Sequence, residues 1–172
     1  MINGARYRLH EVVPGTVYHS PLNIERGDLE IMNLMYHSTR NSNIKVTASQ
    51  AILQGLSQDG GLFVPETIPQ LTTPIKELSH MNYQELAYEV LKLYLTDYSE
   101  EEIKDCINKA YDHKFDTPDI APLNKVGSVH YLELFHGATI AFKDMALSIL
   151  PHLLTTAARK NNISDEIVIL TA

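Results

Sequence analysis

The segment 128–172 constrains the fold most, because its apolar pattern predicts a strand, then a helix, then a second strand. The run SVHYLELF is mostly apolar, which is typical of a strand that is covered on both faces. A helix is predicted over residues 142–160, and the apolar run EIVILTA then predicts a second buried strand. Such a unit is expected to be a right-handed crossover between two parallel strands. The sequence therefore predicts an α/β domain that begins near residue 121.

Residues 32–120 have the patterning of a smaller α+β domain that is mostly helical. Thr47 and Gln50 have the spacing of a capping box and predict the start of one helix. Two further helices are predicted within residues 78–116, and their short connection predicts a helical hairpin. A stretch rich in Pro, Asp and Gly near residue 120 then separates this domain from the incomplete α/β domain, residues 121–172.

Proline and glycine mark the predicted breaks between these elements. Pro14-Gly15 predicts a short hairpin within residues 1–31, which we interpret as an extension outside the patterned part of the chain. Asp59-Gly60-Gly61 predicts a turn with a residue at positive φ, in preference to an anion-binding loop. Pro151 lies inside the helix predicted over residues 142–160 and is expected to kink it or to cost it a hydrogen bond.

Composition excludes several functional classes. The 172 residues carry a net charge of −7, which argues against sequence-independent binding to nucleic acid or to anionic membranes. Cys106 is the single cysteine, so no intrachain disulfide forms, and a cytoplasmic location is expected. No apolar run reaches the roughly 20 residues of a membrane span. The acidic cluster at residues 100–102 is interpreted as a solvated first helical turn, and no metal site is predicted.

Lys143 is the candidate functional residue that the pattern itself singles out. It lies near the start of the predicted helix, where the helix dipole disfavours a cation, and its sequence neighbours are apolar. A lysine that is kept partly neutral is a nucleophile, and carbonyl compounds are its natural partners. The alternative is a structural lysine whose ammonium group reaches solvent or pairs with Asp144. The residue pattern alone leaves both interpretations open.

Four patches follow one another in the order YHSTRN, QAILQGLSQDGGLFVPE, FDTPDIAPL and LELFHGATIAFKD, and the last is the most specific. Together they resemble the threonine synthase family, pyridoxal-phosphate enzymes of fold type II. The resemblance implies that Lys143, in AFKD, forms the Schiff base with pyridoxal 5′-phosphate. It also implies that Phe142 lies near the cofactor ring. His136, Gly137 and Thr139 match the same motif and are expected to shape the site.

The resemblance implies that the enzyme converts O-phosphohomoserine and water to L-threonine and phosphate. Ala138 departs from the usual proline of the motif, and Asn41 stands where glycine is common. The loop that holds the cofactor phosphate in this family would lie beyond Ala172, so a complementary C-terminal fragment is a candidate partner. We also expect exposed apolar surface on residues 128–172. The alternative is a catalytically inactive remnant or an interaction module of the same family.

Overall fold

The computed structural model describes residues 4–11, 17–24 and 33–167. The chain divides into two compact units, Met1–Met32 and Asn33–Ala172. Among the described residues, no helix is both long enough and apolar enough to cross a membrane.

The first unit contains a β-hairpin. Strand β1 (Gly4–Glu11) pairs antiparallel with β2 (Val17–Ile24), and Glu11 lies opposite Val17. This pairing confirms the hairpin that was predicted around Pro14-Gly15. The turn itself lies outside the described residues. The prediction missed the length of the two strands, because the segment has no sustained hydrophobic period.

The second unit combines short strands with helices and is a mixed α and β fold. Three strands form an antiparallel sheet in the order β4-β3-β5. Two later strands, β6 and β7, form a separate hairpin. The elements in chain order are β3 (Tyr36–Ser38), β4 (Lys45–Val46), α1 (Ala48–Gln54), β5 (Phe63–Pro65), α2 (Ile75–Leu78), α3 (Tyr83–Tyr94), α4 (Glu100–Ala110), β6 (Leu123–Val126), β7 (Val129–Leu132), α5 (Asp144–Leu147) and α6 (Leu150–Lys160).

Helices α1, α3 and α4 each begin with a capping box. Thr47 and Gln50 form the predicted capping box at the start of α1. Helices α3 and α4 begin in the same way, with Asn82 and Ser99 as the capping residues. Each cap satisfies backbone N–H groups that have no partner inside the helix, which fixes where the helix starts.

The core lies where α1, α4 and α6 meet, with α3 packed beside α4. Its buried side chains are mostly apolar, and Ile107 of α4 is among the most deeply buried. Helix α6 is tied to this core by polar contacts as well. The Tyr98 hydroxyl donates to the Leu153 carbonyl at 3.1 Å, and the Asn161 amide donates to Ser49 Oγ at 2.9 Å. The division of the chain near residue 120 stays a prediction.

The strand predicted over SVHYLELF is shorter than expected and is not covered on both faces. Strand β7 pairs antiparallel with β6, and the side chains of both strands are exposed. Residues 168–172 of the second predicted strand lie outside the described residues, so the described part of the chain contains no parallel pair to compare with the prediction. The exposed apolar surface expected on this segment is confirmed for its described residues, among them Val129, Tyr131, Leu132, Phe135, Ile140, Phe142 and Leu147.

The helix predicted over residues 142–160 is two helices in the structure. Helix α5 ends at Leu147, and α6 begins at Leu150. Pro151 lies in the first turn of α6, where a missing N–H removes no helical hydrogen bond. The single helix is therefore wrong, whereas the disruption expected at Pro151 is seen as a break: α5 ends before the proline, and the proline lies in the first turn of a new helix.

Candidate active site

Lys143 immediately precedes α5, at the end of the long connection from β7. Its side chain is exposed, and so are those of Ile140 (74%) and Phe142 (66%). The apolar enclosure expected from the sequence is not seen, because these neighbours face solvent and no other described element covers them. The structure shows no ion pair between Lys143 and any other described side chain. Its amine is therefore accessible to a ligand from solvent.

Asp144 is buried beneath the turn that leads to Lys143, with only 5% of its surface exposed. The Thr139 N–H donates to its Oδ2 at 2.7 Å, and the Thr139 hydroxyl donates to its Oδ1 at 2.6 Å. The Thr139 hydroxyl and then the Thr139 N–H are the main causes that lower the pKa of the Asp144 carboxyl. Asp144 therefore binds the turn, and it acts neither as the cap of α5 nor as a counter-ion to Lys143.

Gly137 explains why the turn can come so close to Asp144. A Cβ atom on this residue would lie 2.5 Å from the Asp144 Cβ and 2.6 Å from its Oδ2. Those distances are shorter than any ordinary carbon contact, so a larger residue would displace the carboxylate. The glycine of the HGAT motif is thus required by a close approach between the turn and the start of α5.

His136 lies between two carboxylates. Its Nε2 is 2.8 Å from Glu133 Oε2, and its Nδ1 is 2.5 Å from Asp116 Oδ1. The backbone adds a further link, because the Asp116 N–H donates to the His136 carbonyl at 3.0 Å. The hydrogen bonds that the ring donates to the carboxylates of Glu133 and then Asp116 raise the pKa of the His136 imidazole above 6.5. His136 thereby joins the FDTP segment to the segment that carries Lys143.

Asp116 and Glu133 are site residues that the sequence analysis missed. Asp116 belongs to FDTPDIAPL, which was noted only as one of the patches of resemblance. Glu133 belongs to the LELFHGAT run, where only the residues that follow it were considered. The sequence signal for this group is the presence of acidic residues and a histidine in the two patches. That signal does not predict that His136 contacts Asp116, which lies 20 residues earlier in the chain.

The protonation of His136 predicts a pH-dependent stability. Because its pKa is raised on folding, the stabilisation is fully present below the unfolded-state value of 6.5 and is lost as pH rises through the folded-state pKa. We expect the thermal midpoint of the wild type to fall over that window by more than the midpoint of His136→Gln. His113→Gln, whose side chain is 91% exposed, is the matched control and should follow the wild type. An NMR titration of His136 with a pKa at or below 6.5 would contradict the assignment.

A second interlocked group connects the STR and DGG motifs. The Ser38 hydroxyl donates to Asp59 Oδ1 at 2.7 Å, and the Gly61 N–H donates to the same oxygen at 2.9 Å. The Ser38 hydroxyl is therefore the main cause that lowers the pKa of the Asp59 carboxyl. Gly60 has φ of +76°, which confirms the turn with positive φ that was predicted. Asn41 does not adopt positive φ, and its side chain accepts from the Asn43 N–H.

Comparisons with known proteins give one consistent family. The family model described as "Threonine synthase N terminus" matches residues 35–111. Threonine synthase from Saccharomyces cerevisiae is 38% identical over 138 residues, which cover 74% of this chain and 27% of the yeast protein. The chain belongs to the threonine synthase family and corresponds to the N-terminal part of its members. It spans little more than a quarter of the yeast relative's length.

Solved threonine synthases have the same arrangement of elements. The crystal structure of PLP-bound threonine synthase from Brucella melitensis gives a TM-score of 0.68 at 29% identity, covering 76% of this chain and 28% of that one. Threonine synthase from Escherichia coli gives a TM-score of 0.63 at 28% identity, covering 73% of this chain and 28% of that one. These likenesses confirm the mixed fold as that of a threonine synthase N-terminal part.

The threonine synthase family model matches the front of the second unit. The region matched by the family model contains the group formed by Ser38, Asp59 and Gly61 and most of the helical core. It ends before the turn that carries Lys143 and Phe142. The roles of these two residues in the threonine synthase reaction stay a prediction.

Proposed function

We propose that this chain supplies the covalent cofactor anchor of a threonine synthase that uses pyridoxal 5′-phosphate. The observation that carries the proposal is Lys143, an accessible amine in the family's AFKD motif within a chain of that family. The reaction would convert O-phosphohomoserine and water to L-threonine and phosphate. The single, buried Cys106 is consistent with the cytoplasmic location we propose.

The residues around Lys143 fit pyridoxal phosphate in their chemistry. A primary amine that makes no ion pair with a described residue is available to bond to the cofactor's aldehyde carbon. The exposed ring of Phe142 lies next to it in sequence and offers an apolar surface for the cofactor ring. When bound, the cofactor supplies an electron sink for substrate carbon acids. The substrate's amine would take the place of Lys143 at that aldehyde carbon, and the released Lys143 amine would accept and return protons at the substrate carbons as a general base.

The exposed apolar side chains of the segment that carries Lys143, residues 128–147, support a further assignment. We propose that they are covered by the rest of a threonine synthase, in the same polypeptide or in a complementary C-terminal fragment. The relatives that the chain matches are much longer than the matched region, since the alignments cover 27% and 28% of them. Apolar side chains such as Leu132, Phe135 and Ile140 are solvated in the described structure. Burying these side chains would also exclude water from the site around Lys143.

A complementation assay tests this function directly. The chain is mixed with the C-terminal part of the yeast threonine synthase, and phosphate release from O-phosphohomoserine is measured with added pyridoxal phosphate. We expect the mixture to be active. With Lys143→Arg in place of the wild type, we expect the rate of phosphate release to fall by about a hundredfold or more, because general acid–base groups contribute at least that factor. Lys125→Arg, a change at another exposed lysine, is the matched control and should keep the activity.

Three results of this assay would contradict the proposal. Equal activity with Lys143→Arg would assign the chemistry to another residue. A stable complex of the two parts that binds pyridoxal phosphate yet shows no phosphate release would favour the inactive remnant. A chain that binds the C-terminal part without changing cofactor binding would favour an interaction module.

A further inference from the structure

Asp144 has contacts that the proposed reaction does not itself explain. We infer that Asp144 is a positioning residue that holds the turn at residues 137–141 and thereby fixes the place and direction of Lys143. This inference rests on the proposed role of Lys143 as cofactor anchor. It adds a residue whose task is to shape the backbone from which the lysine projects.

The turn is strained in a way that needs an external support. Ile140 has φ of +63°, a region that β-branched residues rarely adopt because Cβ crowds the backbone. Its side chain is mostly exposed, so burial of that side chain does not compensate for the strain. Backbone strain of this kind persists only where surrounding contacts impose it, and it is concentrated at functional sites. The support must therefore come from contacts to the backbone of the turn.

The Asp144 carboxylate supplies that support from inside the turn. Its two oxygens accept separately from the Thr139 N–H and the Thr139 hydroxyl. The backbone N–H groups of the neighbouring Ala141 and Ile140 add to the lowering of the pKa of this carboxyl. The Asp144 N–H in turn donates to the Ala141 carbonyl at 3.0 Å. Asp144 thus contacts residues on both sides of the strained Ile140, Thr139 through its carboxylate and Ala141 through its backbone N–H.

The position of Asp144 in sequence makes this support relevant to Lys143. Asp144 is the first residue of α5, so the backbone that it anchors includes the peptide bond to Lys143. Its charge is already matched by donors from the turn, and the structure shows no ion pair between Lys143 and a described carboxylate. The arrangement keeps the start of α5 fixed while leaving the lysine amine free to react. A surface aspartate that paired with Lys143 would instead hold the amine as an ammonium ion.

The inference is tested in the full chain by two measurements on Asp144→Asn. The first is amide hydrogen exchange at residues 139–141. The second is the share of pyridoxyl label on Lys143 after pyridoxal phosphate is added and reduced with borohydride. We expect exchange to accelerate about tenfold or more, because charge-assisted hydrogen bonds are lost. We expect the share of label on Lys143 to fall by a similar factor. Asp119→Asn, the same change at an exposed turn residue, should leave both unchanged.

Thr139 provides variants that separate loss of the contact from a failure to fold. Thr139→Val removes the hydroxyl donor and should act in the same direction as Asp144→Asn, while Thr139→Ser keeps the donor and should restore the wild-type behaviour. Exchange in the core helices should stay at wild-type rates in all of them. These variants keep the test valid if Asp144→Asn lowers global stability.

The possible results distinguish the inference from the function on which it rests. Unchanged exchange at residues 139–141 in Asp144→Asn would overturn the inference. Faster exchange with an unchanged share of label on Lys143 would overturn it as well. Wild-type labelling with no preference for Lys143 would contradict the proposed function, whereas the exchange rates would still decide whether Asp144 fixes the turn.

Discussion

Replacing Ile107 by alanine is expected to lower the free energy of unfolding by about 2–5 kcal/mol, the usual cost of deleting a large buried aliphatic side chain. Ile107 is 1% exposed and lies in α4, where the helices of the second unit meet. The loss combines the transfer free energy of the removed atoms with the cavity that they leave. Chemical denaturation followed by circular dichroism measures the effect.

Ile75→Ala is the matched control, because the same atoms are removed from a residue that is 83% exposed. Its effect should stay within about 0.5 kcal/mol, as for most surface substitutions. Equal losses for the two variants would contradict the placement of the core around α4. A loss confined to Ile107→Ala would support it.

Replacing Gly61 by alanine is expected to destabilise the second unit by about 2–4 kcal/mol through overpacking and lost hydrogen bonds. A Cβ on Gly61 would overlap the Ser38 Oγ and would lie 3.1 Å from the Arg40 backbone nitrogen. The Ser38 side chain is buried and is held by Asp59, so it cannot move aside without breaking its own contacts. Thermal unfolding of the purified variant measures the loss.

Gly127→Ala separates this steric cost from the cost of backbone conformation. Gly127 has φ of +63°, and a Cβ built there meets no atom within 4 Å. Alanine at that position should therefore cost only the roughly 1–2 kcal/mol of a left-handed conformation. A loss for Gly61→Ala no larger than that for Gly127→Ala would contradict the close contact between the STR and DGG motifs.

Local rules predicted the parts of the fold that depend on neighbours in sequence. The capping box at Thr47, the positive φ at Gly60 and the hairpin of the first unit follow from short-range preferences, and the structure confirms them. The single helix over residues 142–160 was wrong because the apolar pattern continues across the break at Ser148 and Ile149, where α5 ends and Pro151 helps to begin α6. The covered strand was misread because pairing with β6 depends on a turn at Gly127 that the apolar pattern does not report.

The candidate site was only partly accessible to the same reasoning. Lys143 could be singled out by its motif, but its exposure depends on which elements surround it. The contacts of His136 with Asp116 and of Asp144 with Thr139 come from a folded loop that no periodicity describes. The strain at Ile140 was likewise invisible, because isoleucine gives no signal for positive φ. Most of the site features that the sequence did not predict are thus contacts within and between loops.

The measurement that tests the central claim most directly is the site of reductive labelling by pyridoxal phosphate. The full chain is incubated with a range of cofactor concentrations, reduced with borohydride and mapped by peptide mass spectrometry, with Lys143→Arg as the control. We predict that label appears on Lys143 at the lowest concentrations and is absent from that peptide in the variant. Label distributed evenly over exposed lysines such as Lys125, with the same pattern in wild type and variant, would contradict the assignment of Lys143 as the cofactor anchor.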